Sequence, residues 1–359
     1  MIQEIINRYK RMRTERFLRQ TYQYHYAFVG MGQHSLTNLY PVLHHLGVPL
    51  KYICVTSERK AKLIEEKFRV KGTNSLDEIL NDEDIKGVIV SASPSAHFSI
   101  ATQVLQSGKS LFIEKPPCRT LKELDTLIAL QQQYGSLVAM VGLQKRYAPA
   151  VQILKQRLRK ERLINYDLHY LTGAYPEGNV LHDLYIHPLD LVCYLFGQPE
   201  ILVCRQIAKD SFILMLQHPH IIGTLELSTT YSWSTAEESL KICTRSGVYH
   251  LSQMESLAFT PNPATILGIP TEKLRLRHET KEILFQRNNF TSILANNQVY
   301  TQGYYNEIAA FVEVIEDRCT DNLTPLSSLK PTYNTLFDIQ TVIESNGNTH
   351  KKPSLSQLS

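Results

Sequence analysis

Short apolar runs alternate with helical patterns from Tyr24 to about Gly142, and this alternation constrains the fold more than any other feature of the chain. Parallel strands require a crossover between them, and crossover helices cover both faces of the resulting sheet. The pattern therefore predicts a doubly wound, mostly parallel α/β sheet in the first part of the chain. The strand-like runs that carry this prediction lie at 24–29, 50–55, 87–92, 110–113 and 137–142.

The rhythm changes after Pro149, where strand-like runs follow one another with few helical patterns between them. Such a succession predicts an α+β domain with a large, mainly antiparallel open sheet. An irregular excursion is expected between residues 255 and 302, which include three prolines. The predicted organisation is a basic N-terminal extension at 1–23, a first domain at 24–145, a second domain at 146–345 and a polar tail at 346–359.

The composition is that of an ordinary globular protein, with 43% hydrophobic and 20% charged residues and a net charge of +4. Because the basic residues are mixed with acidic ones, we expect no nucleic-acid partner. No apolar run is long enough to span a membrane, and the basic first 20 residues do not resemble a signal peptide. The six cysteines show no metal-ligand spacing. We therefore expect reduced thiols, no metal site and a cytoplasmic protein.

A glycine-containing turn, Gly30-Met31-Gly32-Gln33-His34-Ser35, lies directly between the first strand and its helix. The first glycine permits a tight turn, and the second allows backbone N–H groups to approach a pyrophosphate at the helix N-terminus. Ser35 stands where the usual pattern has a third glycine. The placement predicts a Rossmann dinucleotide-binding turn, although a purely structural turn is the alternative. The expected cofactor contacts are Gly30, Met31, Gly32, Gln33 and His34.

The end of the second strand should contact the adenosine ribose of a bound dinucleotide. Thr56 and Ser57 stand there, followed by Glu58 and Arg59, so the acidic residue that would repel a 2′-phosphate is missing at Thr56. The predicted contacts are Thr56, Ser57 and Arg59. This set favours NADP over NAD, although Glu58 could still reach a free ribose hydroxyl.

Two further groups of residues suggest a chemical centre. Glu114-Lys115-Pro116-Pro117 follows a strand, and ligands bind beyond the carboxyl ends of strands in open α/β sheets. Asp183 and His187 are four residues apart in a helical pattern, which predicts that they share one face, and Asp190 could orient the ring of His187. A structural hydrogen-bond network is the alternative, because buried polar groups need partners.

Taken together, these motifs resemble the glucose–fructose oxidoreductase/inositol dehydrogenase/MocA (Gfo/Idh/MocA) family of NAD(P)-dependent oxidoreductases. The resemblance implies catalytic roles for Lys115, Asp183 and His187. It also implies cofactor contacts from residues around two strand ends. The motifs that carry it are Gly30-x-Gly32, Ser93-Pro94-Ser95-Ala96-His97, Glu114-Lys115-Pro116, Asp183-x-x-x-His187-x-x-Asp190 and the late helix from Tyr305 to Ile315. The implied cofactor contacts are Ser93, Pro94, His97, Glu114 and Lys115.

The implied reaction is hydride transfer between the nicotinamide and a carbinol or carbonyl carbon of a sugar, cyclitol or related polyol. His187 would act as general acid/base, Lys115 would stabilise the alkoxide, and Asp183 would hold Lys115 or a substrate hydroxyl. The resemblance also implies a homodimer or homotetramer formed through the second sheet. Substrate contacts are expected from Lys145, Arg146 and Tyr185, with a solvent-facing Lys145 as the alternative.

Two other functions remain open from the sequence. One is a non-catalytic NAD(P)-binding sensor or regulator, which would have no chemical need for all three of Lys115, Asp183 and His187. The other is a redox-neutral lyase or glycosidase that uses its bound cofactor to oxidise and then re-reduce a sugar. Turnover without a net change in nicotinamide absorbance would identify the second function.

Overall fold

The computed structural model describes residues 2–18, 21–135, 137–176, 178–274, 280–290 and 297–349. Most of the predicted polar tail at 346–359 lies outside these residues. The basic N-terminal extension contains a helix, α1 (Ile2–Leu18), which exposes apolar side chains such as Ile2 and Tyr9. Among the described helices, none is long and apolar enough to cross a membrane.

The first sheet has six parallel strands in the order β3-β2-β1-β4-β5-β6, which confirms the predicted doubly wound α/β fold. The chain order of its strands reverses between β1 and β4, and ligands bind at such switch points in this fold. The strands are β1 (His25–Val29), β2 (Leu50–Cys54), β3 (Lys71–Thr73), β4 (Ile85–Val90), β5 (Ser110–Glu114) and β6 (Ala139–Gly142).

Local signals explain where the helices of this region begin and end. Ser57 caps one helix by accepting a hydrogen bond from the backbone of Lys60, and Thr120 forms a capping box with Glu123. Gly47 ends another helix in a left-handed conformation. The helices are α2 (Tyr40–Leu46, preceded by a π-helical turn at Ser35–Leu39), α3 (Glu58–Phe68), α4 (Leu76–Leu80), α5 (Pro94–Gln106) and α6 (Leu121–Gln133).

The second sheet has eight strands in the order β16-β13-β12-β11-β7-β10-β9-β8. Among the strand pairs of the described residues, β7–β10 is the one parallel pair, which confirms a mainly antiparallel sheet. Its strands are β7 (Leu163–Leu171), β8 (Glu200–Ala208), β9 (Ser211–Gln217), β10 (Ile222–Ser228), β11 (Glu237–Thr244), β12 (Gly247–Ser252), β13 (Ser256–Pro261) and β16 (Glu282–Gln286). Between β13 and β16, the strands β14 (Thr265–Ile266) and β15 (Ile269–Pro270) form a separate two-stranded hairpin. The expected irregular excursion thus contributes β13 and β16 to this sheet. Residues 275–279 and 291–296 lie outside the described residues.

The helices of the second half are α7 (Pro149–Leu158), α8 (Val180–Asp183), α9 (Ile186–Phe196), α10 (Gln298–Thr301), α11 (Tyr304–Ile315) and α12 (Lys330–Thr349). Helix α11 packs against the first sheet, where the ring of Phe311 lies 5.8 Å from that of Phe112. Just after α11, the buried Glu316 accepts hydrogen bonds from the backbone of Gln23 and Tyr24 and from the hydroxyl of Tyr26. The core of the first sheet is therefore completed by a helix near the end of the chain.

Candidate active site

A cavity of about 800 Å³ lies at the carboxyl edge of the first sheet, where β1, β2, β4 and β5 end. It brings together most of the residues that the sequence singles out, from both halves of the chain. The predicted residues that line it are Gly30, Met31, Gly32, Gln33, His34, Thr56, Ser93, Pro94, His97, Glu114, Lys115 and His187. Ser57, Arg59 and Asp183 are not among its lining residues.

The glycine turn forms one wall of the cavity. Gly30 has a φ of +90°, and a Cβ atom there would collide with the carbonyl oxygen of Ser91. Gly32 faces open space, with nothing within 4 Å of where its Cβ would stand. The buried Ser35 donates its hydroxyl proton to the Ser91 hydroxyl, with 3.0 Å between the oxygens, and so joins helix start and strand end. This geometry leaves the backbone of the turn accessible to a phosphate group.

Beyond the end of β2, the cation that lines the cavity is Lys60, whereas the sequence predicted Arg59. Thr56 and Lys60 line the cavity, whereas Arg59 is exposed and does not. Ser57 is used as the helix cap: its hydroxyl accepts from the Lys60 backbone at 3.4 Å. Successive residues of a helix point about 100° apart, so the neighbouring side chains of Arg59 and Lys60 leave the helix in different directions. The sequence could have indicated Lys60 only if Ser57 had been recognised as the residue that caps the helix.

Lys115 leaves the end of β5 and points toward the second half of the chain. Its ammonium group donates a hydrogen bond to the backbone carbonyl oxygen of Asp183 at 2.6 Å. Burial lowers the pKa of Lys115 below its ordinary value, while the neighbouring Glu114 and Asp183 oppose that shift. The hydrogen bond to Asp183 thus holds the Lys115 side chain beside the cavity.

Asp183 was expected to hold either Lys115 or a substrate hydroxyl, and the structure does not pair its carboxylate with Lys115. The Asp183 carboxylate accepts a hydrogen bond from the backbone N–H of Asn179 at 2.8 Å, closing the turn at the start of α8. Helix α8 ends at Asp183 and α9 begins at Ile186, so the expected continuous helical face is interrupted. Asp183 contacts Lys115 through its main chain instead.

His187 lies in the first turn of α9 and lines the cavity together with Lys115. Burial lowers its pKa well below 6.5, and the nearby cations Lys115 and Lys145 lower it further. The ring is therefore neutral at pH 7 and able to accept a proton. No described group of three or more histidine, cysteine, aspartate or glutamate residues could hold a metal ion around it.

Asp190 does not orient the ring of His187, contrary to the prediction. Both of its oxygens accept hydrogen bonds from Arg146, at 2.9 and 2.6 Å, and Thr332 donates to one of them. Arg146 is only 3% exposed, and it also donates to the backbone of Leu323 and to Ser328. Its guanidinium is fully engaged, so the predicted substrate contact by Arg146 is wrong.

Lys145 and Tyr185, the other predicted substrate contacts, are buried. Lys145 forms an ion pair with Glu238 and lies 4.7 Å from the ring centre of Tyr170, so it does not face solvent. Tyr185 is 0% exposed, and its hydroxyl donates to the carbonyl oxygen of Asp210 at 2.5 Å. A short sequence motif does not show which of its long polar side chains will be buried by tertiary packing.

Comparison with known proteins identifies the relatives of this chain. A sequence model of the GFO_IDH_MocA oxidoreductase family, with an NAD-binding Rossmann fold, matches residues 24–143. A putative oxidoreductase, YceM of Salmonella typhimurium, is 27% identical over 64% of this chain and 76% of its own length. Over its first sheet, the chain is therefore similar to the Gfo/Idh/MocA oxidoreductases.

A second relative, inositol 2-dehydrogenase of Salmonella paratyphi B, is 26% identical over 55% of this chain and 62% of its own length. Among solved structures, a dehydrogenase from Chromobacterium violaceum superposes with a TM-score of 0.76 at 19% identity, over 92% of this chain and 99% of that one. The structural likeness extends the shared fold to the second sheet. The relatives named here are oxidoreductases and dehydrogenases, and the chain is similar to them in sequence and, over both sheets, in fold.

Proposed function

We propose that this oxidoreductase transfers a hydride between a nicotinamide dinucleotide and a carbinol or carbonyl carbon of a sugar, cyclitol or related polyol. One observation carries the proposal: a single cavity joins the glycine turn, Lys115 and His187. The turn offers an anion-binding helix start, and the two other residues offer a cation and a base. The family relative named inositol 2-dehydrogenase supports a cyclitol-like substrate class.

The residues present fit a dinucleotide. Gly32 leaves an open cradle that a Cβ atom would partly fill, and Gly30 allows the turn to come close to β4. Gly30, Gly32 and Gln33 would hold the pyrophosphate, and Ser93 and Pro94 would line the path toward Lys115. The bound cofactor supplies the hydride acceptor or donor.

His187 and Lys115 divide the proton chemistry. The neutral imidazole accepts the proton of the substrate hydroxyl, because its depressed pKa keeps it unprotonated at pH 7. The Lys115 ammonium, fixed by the Asp183 carbonyl, stabilises the alkoxide that develops as the hydride leaves. In the reverse direction, the protonated imidazole would return this proton to the alkoxide.

We infer that the preferred cofactor is NADP. Thr56 carries no charge that would repel a 2′-phosphate, and Lys60 supplies a cation that lines the same end of the cavity. A lysine binds a phosphate as a point charge without needing bidentate geometry. Lys60 therefore takes the role that the sequence assigned to Arg59.

We also propose a homodimer or homotetramer formed through the outer face of the second sheet. Apolar side chains at alternating strand positions remain exposed there: Val203, Ile207, Ile213 and Met215 have relative exposures of 39%, 51%, 44% and 36%. Exposed apolar faces of this kind mark association surfaces. Light scattering after chromatography tests it: Ile213→Lys with Met215→Lys should convert an oligomer to a monomer, and a wild-type monomer would contradict it.

A substrate screen tests the central proposal. Sugars, cyclitols and their phosphates would be incubated with NAD and NADP while nicotinamide absorbance is followed. A substrate that supports reduction with wild type, but not with Lys115→Ala, is the expected outcome. The exposed Lys122→Ala, on α6, is the matched control and should retain full activity. Full activity of Lys115→Ala would remove Lys115 from the mechanism.

A further inference from the structure

His34, the fifth residue of the glycine turn, is held on both sides of its ring. The Asn38 amide donates to Nδ1 at 3.0 Å, which leaves the ring proton on Nε2. That nitrogen lies 3.2 Å from Oε1 of Glu114, to which it donates. The ring edge also packs against Tyr304, with 5.5 Å between ring centres. A histidine in the turn is thus linked directly to the residue before Lys115.

Glu114 is itself built into the site. The residue is 6% exposed, and its second oxygen accepts from the backbone N–H of Lys115 at 3.3 Å. The carboxyl group packs over Gly142, where a Cβ atom would stand only 2.9 Å away. Gly142 therefore leaves the space that the carboxyl group occupies, and the hydrogen bond from His34 holds one of its oxygens. A carboxylate with this support keeps one orientation toward the cavity that it lines.

A second buried acid determines where the negative charge lies. Glu307 on α11 is fully buried, and neither of its oxygens has a hydrogen-bond partner among the described residues. Burial raises the pKa of Glu307 well above 4.5, and the nearby Glu114 raises it further. Burial thus favours the neutral form of Glu307, whereas the Glu114 carboxylate accepts hydrogen bonds from an imidazole and from a backbone N–H. The negative charge at this end of the cavity belongs to Glu114.

Glu114, His34, Lys115 and His187 line one cavity, so this charge adjoins the proposed site of hydride transfer. We propose that Glu114 is the anion that favours the oxidised cofactor, and that His34 is the positioning residue that holds its carboxylate. This inference rests on the proposed function. It adds that the turn helps to set the relative affinity for the two redox forms of the cofactor.

The physical reason is the charge that changes during hydride transfer. When the nicotinamide ring of the cofactor accepts a hydride, with its two electrons, from the substrate carbon, the formal charge of the nicotinamide falls from +1 to zero. The proton of the substrate hydroxyl passes to His187. A fixed carboxylate stabilises the cationic, oxidised ring and has little effect on the neutral, reduced ring. Removing that charge should therefore weaken binding of the oxidised form selectively.

Cofactor titrations test this inference without requiring a substrate. The reduced form, NADPH or NADH, is titrated by its fluorescence, and the oxidised form by its displacement of the reduced one. In Glu114→Gln, the ratio of the oxidised to the reduced Kd should rise about tenfold, a modest Coulombic effect in a partly buried site. In His34→Leu, the ratio should rise about threefold, because the carboxylate loses one hydrogen bond. In His34→Gln, whose amide can still donate, it should return to within about twofold of wild type.

The exposed His44, on α2 and outside the cavity lining, provides the control His44→Gln, which should leave both constants unchanged. Equal changes of both constants in Glu114→Gln would overturn the inference, since they would indicate a purely structural role. Identical behaviour of His34→Leu and His34→Gln would remove the positioning role of His34. If wild type binds neither redox form, the proposed function fails; if wild type binds both and Glu114→Gln leaves the ratio unchanged, this inference fails alone.

Discussion

Replacing Arg146 with methionine should destabilise the protein without removing a substrate contact. The guanidinium makes two hydrogen bonds to Asp190 and three to Leu323 and Ser328, and it is 3% exposed. Its loss leaves the buried Asp190 carboxylate with Thr332 as its one hydrogen-bond partner in the described part of the chain. Breaking a buried charge pair by removing one partner costs roughly 3–5 kcal/mol. We expect a loss of that size in the free energy of unfolding.

Urea unfolding followed by circular dichroism measures this loss, with the slope checked against wild type. The double variant Arg146→Met/Asp190→Leu should be more stable than the sum of the single changes predicts, because no charge is left unpaired. Arg157→Met is the control: its ion pair with Glu282 is half exposed and should contribute less than about 1 kcal/mol. Unchanged stability of Arg146→Met together with a large rise in substrate KM would refute the reasoning and restore Arg146 as a substrate residue.

Three further outcomes follow from the site. For alcohol oxidation, kcat/KM should stay level from pH 8 to 6.5 and fall only at lower pH, because the pKa of His187 is depressed. A rate–pH profile measures this, and a fall in kcat/KM centred above pH 7 would contradict it. Lys60→Gln should weaken NADPH binding about tenfold and NADH binding less than twofold in fluorescence titrations, whereas equal losses would exclude a 2′-phosphate contact. Glu307→Gln should stabilise the protein increasingly as pH rises above about 4.3, by up to about 1.4 kcal/mol per pH unit, because the pKa of Glu307 is raised only in the folded state. Urea unfolding at pH 5 and 7 measures the difference in free energy of unfolding between variant and wild type, and an equal difference at both pH values would refute this.

Local sequence signals predicted the parts of this fold that depend on local structure. The strand–turn–helix pattern identified Gly30 and Gly32, because the positive φ of one and the open side of the other are properties of the turn itself. The position of Lys115 followed from a strand end, since the carboxyl edge of a parallel sheet is a geometric consequence of the alternation. The separation into a parallel and a mainly antiparallel sheet followed from the same change in rhythm.

Tertiary contacts determined what the sequence could not. Asp190 is three residues from His187, yet it pairs with Arg146, which is 44 residues away. The helix expected to contain both Asp183 and His187 is interrupted between α8 and α9, and no residue of the local sequence predicted this break. The packing of α11 against the first sheet depends on a return of the chain across more than 150 residues, which periodicity does not encode. Buried ion pairs such as Lys145–Glu238 are recognisable only when both partners are seen together.

Titration of nicotinamide fluorescence tests the central claim most directly. Wild type and Lys115→Ala would each be titrated with NADPH and with NADH. Both proteins should bind one of these cofactors saturably, with dissociation constants within a few fold of each other, because the glycine turn rather than Lys115 holds the dinucleotide. No binding of either cofactor by wild type at millimolar concentration would contradict the account, since a cavity built from Gly30, Gly32 and Lys115 would then serve some other ligand.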